Sequence, residues 1–329
     1  MIQRDYPYMY ARVSAKRAKL YKPSDYENML KMGPNGISRK MEEGAYKEDI
    51  NQLGSNYDGV KLVELALAKN LAREMSELTE MADGNLQKVL KTYLRRYDIL
   101  TLKRILRAKQ SGKERIEDYL TPVGAISEEK LEELKEMKYE EVKESIAFDE
   151  STVNYQEYIE EAKSLAEVEK GLDQAYYDEL NNLADKFNSQ NLSDFILEEI
   201  EYENLKIVLR MKKYDLSEEE IRDRLLTAKN GRKVENLIQM EFDEALNFVI
   251  SELNLDVDPQ LESVEHAIEV HRLENALRML HSQPLGLSSI LGYVEAKITE
   301  VKNLRMLLRA KETGIQNQET IRRQLVLSN

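Results

Sequence analysis

The chain has no cysteine and no tryptophan, and only 6 prolines, 13 glycines and 3 histidines among its 329 residues. Without cysteine there can be no disulfide, no thiolate metal site and no cysteine nucleophile, and a reducing compartment suits such a chain. The histidines offer little to a metal: His266 and His271 are five apart and do not share a helix face, His281 stands near an expected loop, and no H-E-x-x-H motif occurs. Glycine-rich phosphate loops, nucleophile elbows and dinucleotide fingerprints are missing as well. No window approaches the roughly 18 apolar residues that a membrane span requires. The opening MIQRDYPYMYARV lacks the apolar core of a signal peptide. The protein is therefore expected to be soluble, with any membrane association peripheral, and to carry no catalytic, cofactor-binding or metal-binding residues.

What is abundant is charge and helix-forming side chains. Charged residues make up 33 % of the chain, apolar residues 42 %, and the formal net charge is -13. So acidic a surface disfavours nucleic acid, whose phosphates need a basic field. Leu, Glu, Lys and Ala lose little rotamer freedom in a helix, so an all-α fold is predicted. Acid runs such as Glu128-Glu129, Glu132-Glu133 and Glu218-Glu219-Glu220 fall on predicted amphipathic helices and read as solvated faces rather than as paired catalytic carboxylates.

The chain repeats itself. Asp98 to Lys109 (DILTLKRILRAK), Glu201 to Lys212 (EYENLKIVLRMK) and Glu300 to Lys311 (EVKNLRMLLRAK) share one pattern, at offsets of 103 and 99 residues. A V-E-x-small-aliphatic pattern precedes each copy, beginning at Val63, Val168 and Val264. An I-x-x-x-L pattern follows each, at Ile116 to Leu120, Ile221 to Leu225 and Ile321 to Leu325. Two copies continue into Met137-Lys138-Tyr139-Glu140-Glu141 and Met240-Glu241-Phe242-Asp243-Glu244. Three helical modules are thus predicted: an N-terminal arm over 1–54, then modules over 55–150, 151–256 and 257–329. The third stops before its expected last element, which the arm, with Tyr26-Glu27-Asn28-Met29, is a candidate to supply.

Within the core pattern, Ile99, Leu102, Ile105 and Leu106 lie on one helical stripe, repeated by Tyr202, Leu205, Val208 and Leu209 and by Val301, Leu304, Leu307 and Leu308. Ser217 with Glu220 forms a capping-box signature, Asp258-Pro259 suits a helix start, and Gly112 and Gly314 suit helix ends. Met32-Gly33-Pro34-Asn35-Gly36, Asp83-Gly84-Asn85 and Gln283-Pro284-Leu285-Gly286 read as turns. Unbroken helices are expected over Tyr57 to Met81 and Tyr155 to Asn188, which lack internal proline.

Three modules at this period can stack in an open row or close around an axis. Solenoids of short repeats have periods of roughly 34 to 47 residues, far below that seen here, which counts against the alternative of a helical-repeat scaffold of another assembly. The start Tyr8-Met9-Tyr10-Ala11-Arg12-Val13 and the run from Gly292-Tyr293 through Asn303-Leu304-Arg305 to Ile321-Arg322 resemble the C subunit of A-type and V-type ATP synthases, counterpart of the eukaryotic d subunit. That resemblance implies a funnel of three similar domains about a pseudo-threefold axis with a central cavity. Such a funnel is a non-catalytic socket, without cofactors, that couples the central-shaft subunits to the membrane proteolipid ring on the cytoplasmic side of the membrane.

Six cations repeat with the modules: Lys103 and Arg107, Lys206 and Arg210, Arg305 and Arg309, each pair four residues apart on one face. Two readings stand for them, contact with shaft or ring, and ion pairing with Asp98, Glu201, Glu300 and other acids. The N-terminal Tyr6, Tyr8, Tyr10 and Arg12 suit packing better than partner contact.

Overall fold

The structure, a computed structural model, describes residues 5–112, 123–227, 233–282 and 286–328. The described residues form seventeen α-helices and no strand. In chain order an arm of short helices comes first: α1 (Asp5–Arg17), α2 (Pro23–Met29), α3 (Pro34–Glu42) and α4 (Lys47–Leu53). Two long helices follow, α5 (Gly59–Met81) and α6 (Gly84–Gln110), then the short α7 (Glu128–Glu136), α8 (Tyr139–Glu144) and α9 (Tyr155–Ile159). The long-helix pair recurs as α10 (Leu165–Lys186) and α11 (Gln190–Lys213), followed by α12 (Glu218–Arg224), α13 (Lys233–Gln239) and α14 (Phe242–Glu252). It recurs again as α15 (Leu261–Ser282) and α16 (Leu287–Glu312), closed by α17 (Gln318–Arg322).

Each twelve-residue core pattern occupies the C-terminal half of the second long helix of a pair, and each V-E-x pattern lies near the start of the first. All twelve stripe residues, from Ile99 to Leu308, are buried. Burying an aliphatic side chain of this size stabilises by about 1.5–3 kcal/mol. The first I-x-x-x-L copy and Gln283 to Leu285 lie outside the described residues, as do the side chains of Tyr6 and His281.

The chain divides into two compact units. The first draws on residues 1–101, 115–133 and 272–329, the second on 102–114 and 134–271. In the first unit α16 packs on α5, α1 and α3, and α4 packs on α5. In the second, α10 packs on α9 and α11, and α11 also meets α12, α13 and α14. The second core gathers Leu205, Val208, Leu209, Leu237, Ile238, Val249 and Ile268.

Helix ends follow local chemistry. The Ser217 hydroxyl accepts from the Glu220 amide while the Glu220 carboxylate accepts from the Ser217 amide. Gly112 and Gly314 take left-handed φ of 66° and 79° just past α6 and α16. Asp215 adopts the same conformation past α11, at the corresponding offset, with φ 54°. Two expected turns instead open helices: Pro34 sits at the first position of α3, where its missing N–H is harmless, and α6 begins at Gly84. The helix expected to start at Asp258-Pro259 begins at Leu261, after a turn in which the Gln260 amide donates to the Asp258 carbonyl.

The helix expected over Tyr155 to Asn188 is broken. It stops at Ile159 and restarts at Leu165, because Ser164 caps the new N-terminus by accepting from the Glu167 amide. Gly171 then lets α10 lie against α9: a Cβ there would collide with the Tyr158 carbonyl oxygen.

Candidate functional site

The six repeated cations lie on the three core helices, and the last arginine of each pattern meets the glutamate of a V-E-x pattern on another long helix. Arg107 on α6 grips Glu169 on α10 with two bonds, Nε to Oε1 at 2.5 Å and a terminal nitrogen to Oε2 at 2.7 Å. Arg210 on α11 grips Glu265 on α15 in the same bidentate way, its second bond 3.1 Å long. Arg309 on α16 reaches Glu64 on α5 at 2.5 Å. Four residues before each arginine, Lys103 pairs with Asp173 and Lys206 pairs with Glu269 at 2.8 Å and Glu203 at 3.1 Å. Asp173 and Glu269 each follow the gripped glutamate by four residues, so one turn of the acceptor helix carries both acids. In α5 that position is Ala68, and Arg305 is half-buried.

Hydrogen bonding to Glu169 raises the Arg107 pKa, and bonding to Glu265 raises that of Arg210. The arginine side chains stay about half exposed, at 59, 59 and 49 %, while their glutamates are largely covered. Exposed pairs of this kind contribute about 0.2–1 kcal/mol each, so geometry rather than energy is their chief content.

Two of the acids expected as partners, Asp98 and Glu300, make other contacts. Asp98 turns to the segment after the first core helix and accepts from the amides of Ala125 at 2.7 Å and Ile126 at 3.1 Å. Burial pushes its carboxyl up from 3.8 to about 6, against the pull of those two amides and of Arg95. Glu300 accepts from Tyr46 Oη and the Tyr21 amide, both at 2.6 Å, and pairs with Lys297 at 2.9 Å.

Two further contacts recur with the core pattern. Its asparagine forms a closed pair with one backbone residue: Asn204 donates to the Leu226 carbonyl and accepts from the Leu226 amide, at 2.9 and 2.8 Å. Asn303 does the same with Val326, at 2.7 and 2.9 Å. The first repeat has Thr101 at this position, and Asp98 takes over the task of holding the following segment. The last lysine of the pattern caps a carbonyl in all three copies: Lys109 that of Lys135, Lys212 that of Met240, and Lys311 that of Leu30 at 2.6 Å.

Arg107, Arg210 and Arg309 are each neutralised by a carboxylate. Among the described residues no group of three His, Cys, Asp or Glu could hold a metal, and no helix is long and apolar enough to cross a membrane. Desolvation lowers the His266 pKa, and the His271 ring meets Tyr202 edge-on at 6.0 Å. In the arm Tyr8 is exposed and Tyr10 half-buried, and the neighbouring Met9 and Val13 fill the core.

The sequence family described as ATP synthase (C/AC39) subunit matches residues 9–323. The chain belongs to that family. It is similar to the C subunit of the A-type ATP synthase of Methanococcoides burtonii, 31 % identical over 98 % of this chain and 94 % of that one. The same protein of Methanosarcina barkeri is 31 % identical over 98 % and 93 %, and that of Haloferax volcanii 28 % over 97 % of each chain. Membership thus extends over the arm and all three copies of the core pattern, so the recurring joints lie within the matched region.

The gripped glutamates Glu64, Glu169 and Glu265 stand in a pattern that the sequence displays, yet it marks them only as landmarks of the repeat. No spacing rule links an arginine to a glutamate 62 residues away, the separation of Arg107 and Glu169.

Proposed function

We propose that this chain is a non-catalytic C subunit of an A-type or V-type ATP synthase, a socket that couples the central shaft to the membrane proteolipid ring from the cytoplasmic side. Family membership supports the complex. The mechanical role is supported by the order in which the repeats are joined. Arg107 ties the first repeat to the second, Arg210 ties the second to the third, and Arg309 ties the third back to the first through Glu64. That third joint carries the proposal, because an open row of modules would leave its last arginine without the first module's glutamate.

In the proposed socket the three modules over 55–150, 151–256 and 257–329 are joined head to tail about an axis, whose hollow receives the end of one elongated partner. Torque transmission needs a joint that does not yield. Close-packed helices supply that stiffness, because protein interiors are as dense as organic crystals and barely compress. The remaining exposed surface of Arg107, Arg210 and Arg309, with Lys103, Lys206 and Arg305 behind them, is our candidate for contact with shaft or ring. The test is recovery of the tagged chain from gently solubilised native membranes. Proteolipid ring, shaft and ATP-hydrolysing subunits should copurify, and a lone monomer from membranes whose synthase stays intact would refute the reading.

A further inference from the structure

We infer that the N-terminal arm is a strap that completes the third repeat, and that the one joint in the ring of repeats without a peptide bond across it lies inside that repeat, between α17 and α2. The inference deepens the socket reading and rests on it for the ring, but the strap itself is argued from contacts within the first compact unit.

In the first two repeats the capping lysine reaches forward along the chain. Lys109 caps the end of α7 and Lys212 the turn after α13. The equivalent Lys311 caps Leu30, the residue that ends α2 at the opposite end of the sequence. The arginine after the recurring isoleucine repeats the relation: Arg222 pairs with Glu235 on α13 at 2.5 Å, and Arg322 pairs with Glu27 on α2 at 2.9 Å. Two independent contacts therefore set α2 where α13 stands in the second repeat. The next element, α3, follows α2 as α14 follows α13.

A buried polar knot fastens the strap. Tyr46, just before α4, donates to Glu300, and Lys297 donates both to Tyr46 Oη and to Glu300, each at 2.9 Å. All three side chains are at most 4 % exposed. Beside the knot lies a cavity of about 480 Å³, lined from the arm by Tyr21 and Tyr26, from α16 by Ala296 and Asn303, and from the C-terminal segment by Val326 and Leu327. The knot ties the start of α4 to α16 by charged hydrogen bonds next to unfilled space, while α1 and α3 pack on α16 through buried apolar residues, so loosening the knot should loosen the strap.

Hydrogen exchange followed by mass spectrometry on the full chain tests this. Tyr46→Phe removes the hydroxyl at the centre of the knot. We expect exchange in α2–α4 and in α17 to quicken together, by about tenfold, with α10–α14 unchanged. Because the chain has no cysteine, Glu27→Cys with Arg322→Cys gives a unique pair for a short bismaleimide. That cross-link, with Tyr46 intact, should slow both ends by a similar factor. Quickening confined to α4, or a cross-link that slows α2 without α17, would overturn the strap. Absence of the chain from the purified synthase would instead count against the socket and leave the exchange result standing.

Discussion

Asp98 holds the place of a clamp that is neutral in the other two repeats, and the difference can be measured. Its folded pKa, about 6, lies above the ordinary 3.8. Between those values the folded chain binds a proton that the unfolded chain releases, so stability falls as pH rises through that window. Once both states are ionised, the cost is about 3 kcal/mol. Asp98→Asn removes that pH dependence but turns an NH2 donor toward a backbone N–H, at about 1–3 kcal/mol. Urea unfolding should therefore show the variant's stability relative to the parent falling by about 2.5 kcal/mol from pH 7 to pH 4, and an equal difference at both pH values would contradict the raised pKa. A second residue test concerns the closing pair. Arg309→Glu should cost about 1 kcal/mol and Glu64→Arg should restore most of it in the double variant, measured the same way. If the single variant keeps its stability but loses assembly with shaft or ring, Arg309 acts on a partner rather than on Glu64.

The long helices show where local sequence suffices and where it does not. The stripes at Ile99, Tyr202 and Val301 reported their buried faces because periodicity is a property of a few consecutive turns. Ser217 with Glu220, and the glycines past α6 and α16, were readable for the same reason. The break between α9 and α10 was not, because nothing between Tyr155 and Asn188 forbids a helix. Ser164 and Glu167 do carry the spacing of a capping box, but within a run of helix-forming residues that spacing alone does not stop a helix. The turn after α11 carries a residue at odds with its place, since Asp215 has the positive φ that Gly112 and Gly314 adopt without steric cost. Asp215→Gly should therefore stabilise by about 0.5–1 kcal/mol, read as a higher urea midpoint with unchanged slope. A lower midpoint would mean that the Asp215 side chain contributes more than its backbone costs.

At the scale of the whole molecule, triplication was legible because three patterns recur in one order at nearly constant offsets. The acids that join the copies were not, because Arg309 and Glu64 are 245 residues apart, and such a pair leaves no local trace. The arm was readable only as a candidate for the missing element, since its α2 shares little with α13 beyond an acid for the following arginine. The proposed socket depends on three joints of one kind acting in a cycle. Electron cryomicroscopy of the intact synthase containing this chain tests that claim most directly. The account predicts a single copy between the proteolipid ring and the shaft, with Arg107–Glu169, Arg210–Glu265 and Arg309–Glu64 related by turns of about one third around the shaft axis. A copy lying beside the stalk, or repeats laid out in an open row with Arg309 far from Glu64, would contradict it.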